Sequence, residues 1–206
     1  MPTLLHIDSS PLESSITREL SREYVHTWQQ NNPGGQIIER DLAADPAQPI
    51  DQTWIGAAYT PEEALTAEQK QVLTVSDQLI AELQQADEIV IGAAMHNFGI
   101  PSVLKLWIDQ VARRGKTFAY GANGPEGLLK GKKATVLIAS GGVYSEGKPG
   151  AAMNFVEPYL RAVLGFLGIT DVKFVTAGGA AKVMMGAIER GEFLKPTLDL
   201  VRELAA

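Results

Sequence analysis

The chain has 206 residues, 45% apolar and 20% charged, which suits one α/β domain with a sizeable core and excludes disorder. Its net charge of −6, with no basic run, excludes an electrostatic nucleic-acid face, and the lack of cysteine excludes disulfides, thiolate metal sites and a cysteine nucleophile. No apolar run approaches the ~18 residues that cross a membrane, and residues 1–8 carry no signal-peptide pattern. The expectation is therefore a soluble, cytoplasmic protein with a single domain over residues 1–206 and no membrane partner.

In chain order, Thr3–Asp8 (TLLHID) reads as a first strand, and Leu20, Tyr24 and Trp28 repeat at helical spacing behind it. Gln36–Asp41 (QIIERD) is more polar and predicts an edge strand. Residues 42–61 hold Pro46, Pro49 and Pro61 with Trp54 and Tyr59, and read as a long loop. Thr66 with Gln69 fits a capping box, opening a helix with a stripe of Val72, Val75, Leu79 and Leu83. Glu88–Ala93 (EIVIGA) is a strand covered on both faces. Pro101 sits where a first-turn proline belongs, ahead of Val103, Leu104, Trp107, Ile108 and Val111. A second long loop, Lys116–Lys132, carries Phe118, Tyr120 and a Gly-Pro-Glu-Gly turn at 124–127. Ala134–Ser140 (ATVLIAS) is the next strand. Phe155, Tyr159, Val163 and Phe166 then mark a helix closed by Gly168, and Val172–Ala177 (VKFVTA) is the last strand. Ala181–Ala206 reads as one or two helices broken near Pro196. This alternation predicts a doubly wound parallel sheet, and the two long loops predict lids or contact surfaces.

Ligands of such sheets sit outside the carboxyl ends of the strands. After the first strand, the segment 9–17 brings five hydroxyls to a helix start, where free N–H groups and the helix dipole favour an anion, above all a phosphate. A helix cap on a solvated polar loop is the competing reading. The segment lacks the glycine pattern of a Walker loop or a dinucleotide fold. After the third strand, Met95-His96-Asn97-Phe98 can lay backbone groups along a flat heteroaromatic ring. His96 has no partner at ligand spacing, so no metal is expected. After the fourth, Ala139-Ser140-Gly141-Gly142, followed by Tyr144, lets backbone approach a planar ligand, although a tight turn would use the same glycines.

Ser10 with Ser15-Ile16-Thr17, Met95–Phe98 with Ile100-Pro101, and Gly141-Gly142 together resemble the FMN-dependent NADH:quinone oxidoreductases of the azoreductase type, in the flavodoxin-like superfamily. Asn123-Gly124-Pro125-Glu126-Gly127 and the segment 164–169 (LGFLGI) are further landmarks of the resemblance. It implies a flavodoxin-like α/β fold: a five-stranded parallel sheet of order 2-1-3-4-5 with helices on both faces. It also implies a ping-pong transfer of hydride from NADH or NADPH through bound FMN to quinones and azo compounds. Ser10, Ser15, Ile16 and Thr17 would hold the FMN phosphate. Met95, His96, Asn97 and Phe98 would line the isoalloxazine, with Ala139, Ser140, Gly141, Gly142 and Tyr144 at its pyrimidine end. The flavin would lie at a homodimer interface, with Tyr120, Phe118, Phe98 and Asn97 facing the acceptor and Trp54 and Tyr59 as further wall candidates. No residue need act as nucleophile or metal ligand, because the flavin carries the chemistry. Familiar relatives have Tyr in place of His96 and Ser-Arg in place of Ala139-Ser140, which bears on substrate preference. A flavodoxin-type electron carrier is the alternative function; such carriers lack the two long aromatic-bearing loops.

Overall fold

A computed structural model describes residues 1–122 and 124–206, so the Asn123 landmark lies outside the described residues. The elements are β1 (Thr3–Asp8), α1 (Ile16–Asn31), β2 (Gln36–Asp41), α2 (Gln52–Tyr59), α3 (Ala67–Gln85), β3 (Glu88–Ala94) and α4 (Ser102–Val111). They continue with β4 (Phe118–Gly121), β5 (Gly124–Gly127), β6 (Lys133–Ser140), α5 (Val156–Leu167), β7 (Asp171–Gly178), α6 (Ala181–Met184) and α7 (Arg190–Ala205).

The main sheet has five parallel strands in the order β2-β1-β3-β6-β7. This is the expected 2-1-3-4-5 order, with β6 and β7 as its fourth and fifth strands. Neighbouring residues on the central strands feed opposite cores. Leu5, Ile7, Ile89, Ile91, Val136 and Ile138 pack with α3, α4 and α5, whereas Leu4, Val90 and Leu137 pack with α1 and α7. Burial on both faces is why these strands read as continuous apolar runs. It also places every strand's carboxyl end on one edge of the molecule.

Six expectations are corrected. Residues 42–61 are not a bare loop: Asp51 accepts the Trp54 N–H at 2.8 Å and starts α2. The segment 124–127 is the strand β5, paired antiparallel with β4, rather than a turn. Pro101 caps α4 from outside instead of entering its first turn. On α3 the buried face is Leu73, Ser76, Leu79, Ile80 and Leu83, leaving Val75 exposed; the Thr66–Gln69 capping box forms as expected. On α5 the buried face is Val156, Leu160, Leu164 and Leu167. The expected stripe lies one residue off: Phe155, 60% exposed, and Phe166 face outward, while Tyr159 and Val163 are half-buried against the core. The C-terminal break falls at 185–189, and Pro196 lies inside α7. Proline removes one donor there, while Arg190–Glu19 and Arg202–Glu23 pairs and the buried Leu194 and Val201 hold both halves on the α1 side of the sheet.

Gly168, at φ 101°, ends α5 in the left-handed region. A Cβ on Gly127 would lie 2.1 Å from the Gly168 nitrogen, so the β4–β5 hairpin rests backbone to backbone on this end of α5.

Candidate functional site

The β1–α1 connection is polar yet buried at both ends: Ser9, Ser10, Ser15 and Thr17 are shielded, while residues 11–14 between them stand exposed. Ser9 Oγ donates to the Gly92 carbonyl at 2.5 Å, tying the loop to β3. Ser10 Oγ accepts from the Leu12 N–H at 3.4 Å, and the Ser15 and Thr17 hydroxyls meet at 2.9 Å. Ser15 has the extended backbone of an N-cap, but its side chain makes no cap bond. A polar loop that only capped the helix would satisfy the first-turn N–H groups with that side chain. Here the hydroxyls bond one another, and the start of a 16-residue helix is left for another acceptor.

The β3–α4 connection is strained. His96 and Gly99 exchange backbone hydrogen bonds at 3.0 Å in each direction, closing a two-residue turn. Its central residues, Asn97 and Phe98, both have positive φ, 48° and 73°. Positive φ at both positions is what a type I′ turn demands, and glycine or Asn usually supplies it. Phe98 in this region costs about 1–2 kcal/mol. The turn survives because it is held from two sides: the Met95 N–H donates to the Ala139 carbonyl at 2.8 Å, and the Phe155 N–H to the Phe98 carbonyl at 3.1 Å.

After β6, the carbonyls of residues 140–142 are drawn towards α6. Gly179 N–H reaches the Ser140 and Gly142 carbonyls, and Ala181 N–H reaches that of Gly141 at 3.1 Å. Ser140 Oγ closes the turn on the Gly142 carbonyl at 2.9 Å. The Tyr144 ring lies where a Cβ on Gly142 or Gly150 would meet it at 2.9 Å, and its edge faces Phe98 at 5.9 Å. Thus β1, β3 and β6, adjacent in the sheet, bring together Ser10, Ser15, Ile16, Thr17, Met95, His96, Asn97, Phe98, Ala139, Ser140, Gly141, Gly142 and Tyr144.

The remaining aromatic candidates lie elsewhere, and α5 is the ruler. At its start, the Phe155 N–H bonds the Phe98 carbonyl; near its end, Phe166 packs on Phe118 with ring centroids 4.6 Å apart. Those eleven helical steps measure about 16 Å. Phe118 is buried, while Tyr120 is 64% exposed, edge-on to Phe118 and beneath the Arg114 guanidinium. Tyr59 joins Phe118 and Arg114 around a cleft at that same far end. Trp54 also borders that cleft, although it is largely buried and donates Nε1–H to Gln110 Oε1 at 2.9 Å. Beside the strained turn, an open apolar groove of about 430 Å³ is lined by Gly99, Ile100, Lys105, Phe155, Pro158 and Tyr159.

Sequence reasoning missed Arg18. From the first turn of α1 its Nε and Nη2 donate to the Ser10 carbonyl at 2.9 and 2.8 Å. Nη2 also reaches both Asp41 oxygens, at 2.8 and 2.7 Å, and Nη1 reaches Asp8 at 3.3 Å. Burial raises the Asp41 pKa, but the bonds from Arg18, Ala44 and Ala43 and the Arg18 charge outweigh it and leave the carboxyl below its ordinary value. The missed signal was a cation at a helix start, where the dipole disfavours one.

A family model described as "Flavodoxin-like fold" matches residues 2–192. The FMN-dependent NADH:quinone oxidoreductase of Acidobacterium capsulatum is 55% identical over 206 residues, all of both chains. Among solved structures, an azoreductase from Bacillus anthracis str. Sterne superposes with a TM-score of 0.89 at 28% identity, covering 100% of this chain and 99% of that one. An FMN-dependent NADH-azoreductase from Bacillus anthracis str. Ames Ancestor, in complex with FMN, gives a TM-score of 0.87 at 28% identity, with 100% and 98% covered. The chain belongs to the flavodoxin-like fold family and, within it, to the azoreductase-type FMN-dependent NADH:quinone oxidoreductases.

The strain has a measurable signature. Asn97→Val puts a β-branched residue at φ 48° and is expected to lower the unfolding free energy of the flavin-free chain by about 1–2 kcal/mol in urea titrations, with Asn97→Gly at or above wild type. Equal stability for all three chains would refute the strained turn.

Proposed function

We propose that this chain is an FMN-dependent oxidoreductase that takes hydride from NADH and delivers it to quinones and azo compounds in two separable half-reactions. The carrying observation is the uncapped start of α1, lined by Ser10, Ser15 and Thr17, beside two backbone loops on the neighbouring strands. That set fits FMN. The helix start and hydroxyls suit the phosphate of Ser10, Ser15, Ile16 and Thr17 contact. Met95, His96, Asn97 and Phe98 would line the ring, and Ala139, Ser140, Gly141, Gly142 and Tyr144 would flank its pyrimidine end. When bound, FMN supplies the hydride chemistry. The protein fixes N–H groups of the Asn97 and Gly141–Gly142 loops where negative charge accumulates, so no donor need reorganise. Ser140, where the resembled family carries Arg, turns its hydroxyl onto the Gly142 carbonyl at 2.9 Å, which would leave this work to backbone dipoles.

The working unit on this reading is a homodimer. In one protomer Tyr120 and Phe118 lie a helix length from Asn97, so they can wall its pocket only from a second copy. Phe155 and Phe166 stand exposed at the two ends of α5, with Tyr159 and Val163, half-buried against the core, between them on that helix. An isologous antiparallel contact along it would set each hairpin over the other copy's strained turn and apolar groove. Among the described residues no helix is long and apolar enough to cross a membrane. A cytoplasmic site, with its supply of reduced nicotinamide, suits the activity.

Anaerobic stopped-flow mixing tests the function. NADH alone is expected to bleach the flavin, with NADPH as the comparison, and a quinone or azo dye in a second mix to restore it. Flavin that NADH leaves oxidised without a partner protein would favour the electron-carrier alternative instead. In the same purification, Thr17→Asp is expected to emerge depleted of FMN, since its carboxylate would face the phosphate; full retention would sink the phosphate assignment. Phe155→Glu, at the exposed start of α5, is expected to sediment as a monomer. A wild-type oligomeric state in that variant would exclude the α5 interface.

A further inference from the structure

The β1–α1 loop differs from glycine-rich phosphate loops in a way that demands an explanation. Between Ser9 and Ser15 it contains no glycine, so the covalent chain itself does little to decide which way its peptide groups face. A peptide turned the wrong way would direct a carbonyl, the negative end of its dipole, at a bound phosphate. Side chains instead hold these carbonyls from outside. Arg18 grips that of Ser10 with two N–H groups, Arg190 Nη2 reaches that of Ser14 at 3.0 Å, and Arg22 Nη2 reaches that of Glu13 at 3.4 Å.

Arg190 is paired with Glu19, but its side chain is more exposed than that of Arg18. Arg18 is largely buried, with its side chain 17% exposed, and it joins the ends of β1 and β2 through Asp8 and Asp41. Asp8 is itself fixed by the Ser21 hydroxyl at 2.9 Å, and a Cβ at Gly92 would meet it at 2.8 Å. The guanidinium charge is therefore already matched by two carboxylates and adds little free positive charge for a ligand. What remains is geometry: a planar fork that grips one carbonyl and one carboxylate at once, which a lysine cannot reproduce.

We infer that Arg18 is a positioning residue for FMN: by holding the Ser10 carbonyl outward against Asp41, it turns the loop's hydroxyls and the α1 N–H groups towards the phosphate. The inference rests on the phosphate reading above and assigns the loop's orientation to a residue that does not itself touch the ligand. Its effect should be confined to the phosphate end of the flavin. Affinity for riboflavin, which has the ring and ribityl chain but no phosphate, should be blind to it.

The test uses full-length chain stripped of flavin and titrated with FMN and with riboflavin, following the quenching of flavin fluorescence. Wild type is expected to prefer FMN by about 100-fold or more. Arg18→Lys, which keeps the charge and loses the fork, is expected to cut that preference about tenfold through the FMN Kd, with the riboflavin Kd within about twofold of wild type. Asp41→Asn, at the half-exposed end of the brace, should cut it about threefold and covers the case in which Arg18 variants do not fold. A wild type with no preference for FMN would overturn the phosphate reading itself. Given a wild-type preference, three results would overturn the positioning role: full preference in Arg18→Lys or in Asp41→Asn, equal losses for both ligands, or a loss in Arg18→Met that Arg18→Lys fully restores, which would mark charge alone as the cause.

Discussion

The start of α1 carries a demand that the rest of the structure answers. A helix of 16 residues begins with backbone donors that have no intrahelical acceptor, and the hydroxyl of the residue placed to cap them, Ser15, is paired with that of Thr17 instead. In a polar loop on the open surface, water would settle such donors. Here Ser9, Ser10, Ser15 and Thr17 are buried, so the donors want an anion of matching size. The parallel sheet determines where this happens. Burial of both faces by helices forces the β-to-α connections of the parallel sheet onto one edge, and adjacency of β1, β3 and β6 then sets the proposed anion site beside the two loops proposed to flank a flat ring.

Holding the loops in place takes energy from elsewhere in the fold. The Asn97–Phe98 turn is conformationally costly and persists because Ala139 and Phe155 fix it from the neighbouring strand and helix. Tyr144, wedged against two glycines, ties the same turn to the third loop. The anion loop is braced by arginines rather than shaped by glycines. The far end of the molecule follows a different logic. There a hairpin seated on Gly168 leaves Tyr120 in solvent, and α5 presents apolar side chains on both of its faces. Both features fit the proposed homodimer, in which each hairpin would lie over the other copy's strained turn.

Much of this was legible in the sequence, for identifiable reasons. A strand buried on both faces has no alternation to misread, so Thr3–Asp8 was placed to the residue; Gln36–Asp41, exposed to half-buried, was placed as well by its polar edge-strand character. The three site loops followed from strand position alone. The helix faces were harder. On α5 the sets 155/159/163/166 and 156/160/164/167 are both apolar and one residue apart, and periodicity cannot say which faces the core. Trp54 passed for a loop aromatic because prolines surround it, although Asp51, three residues earlier, is a serviceable N-cap. Pro196 read as a breaker because tertiary contacts on either side of it are invisible in sequence. Arg18 was missed for the same reason: its partners Asp8 and Asp41 become neighbours only through the pairing of β1 with β2.

The central claim is that the buried start of α1 holds the FMN phosphate as a dianion, and phosphorus NMR of the flavin-loaded protein addresses it directly. A free phosphate monoester titrates with a pKa near ~6 and its resonance moves accordingly. Helix donors and hydroxyls that bind the dianion should hold the 31P shift of the bound flavin constant across that range, well into mild acid. A resonance that titrates like free FMN would place the phosphate in solvent and contradict the account.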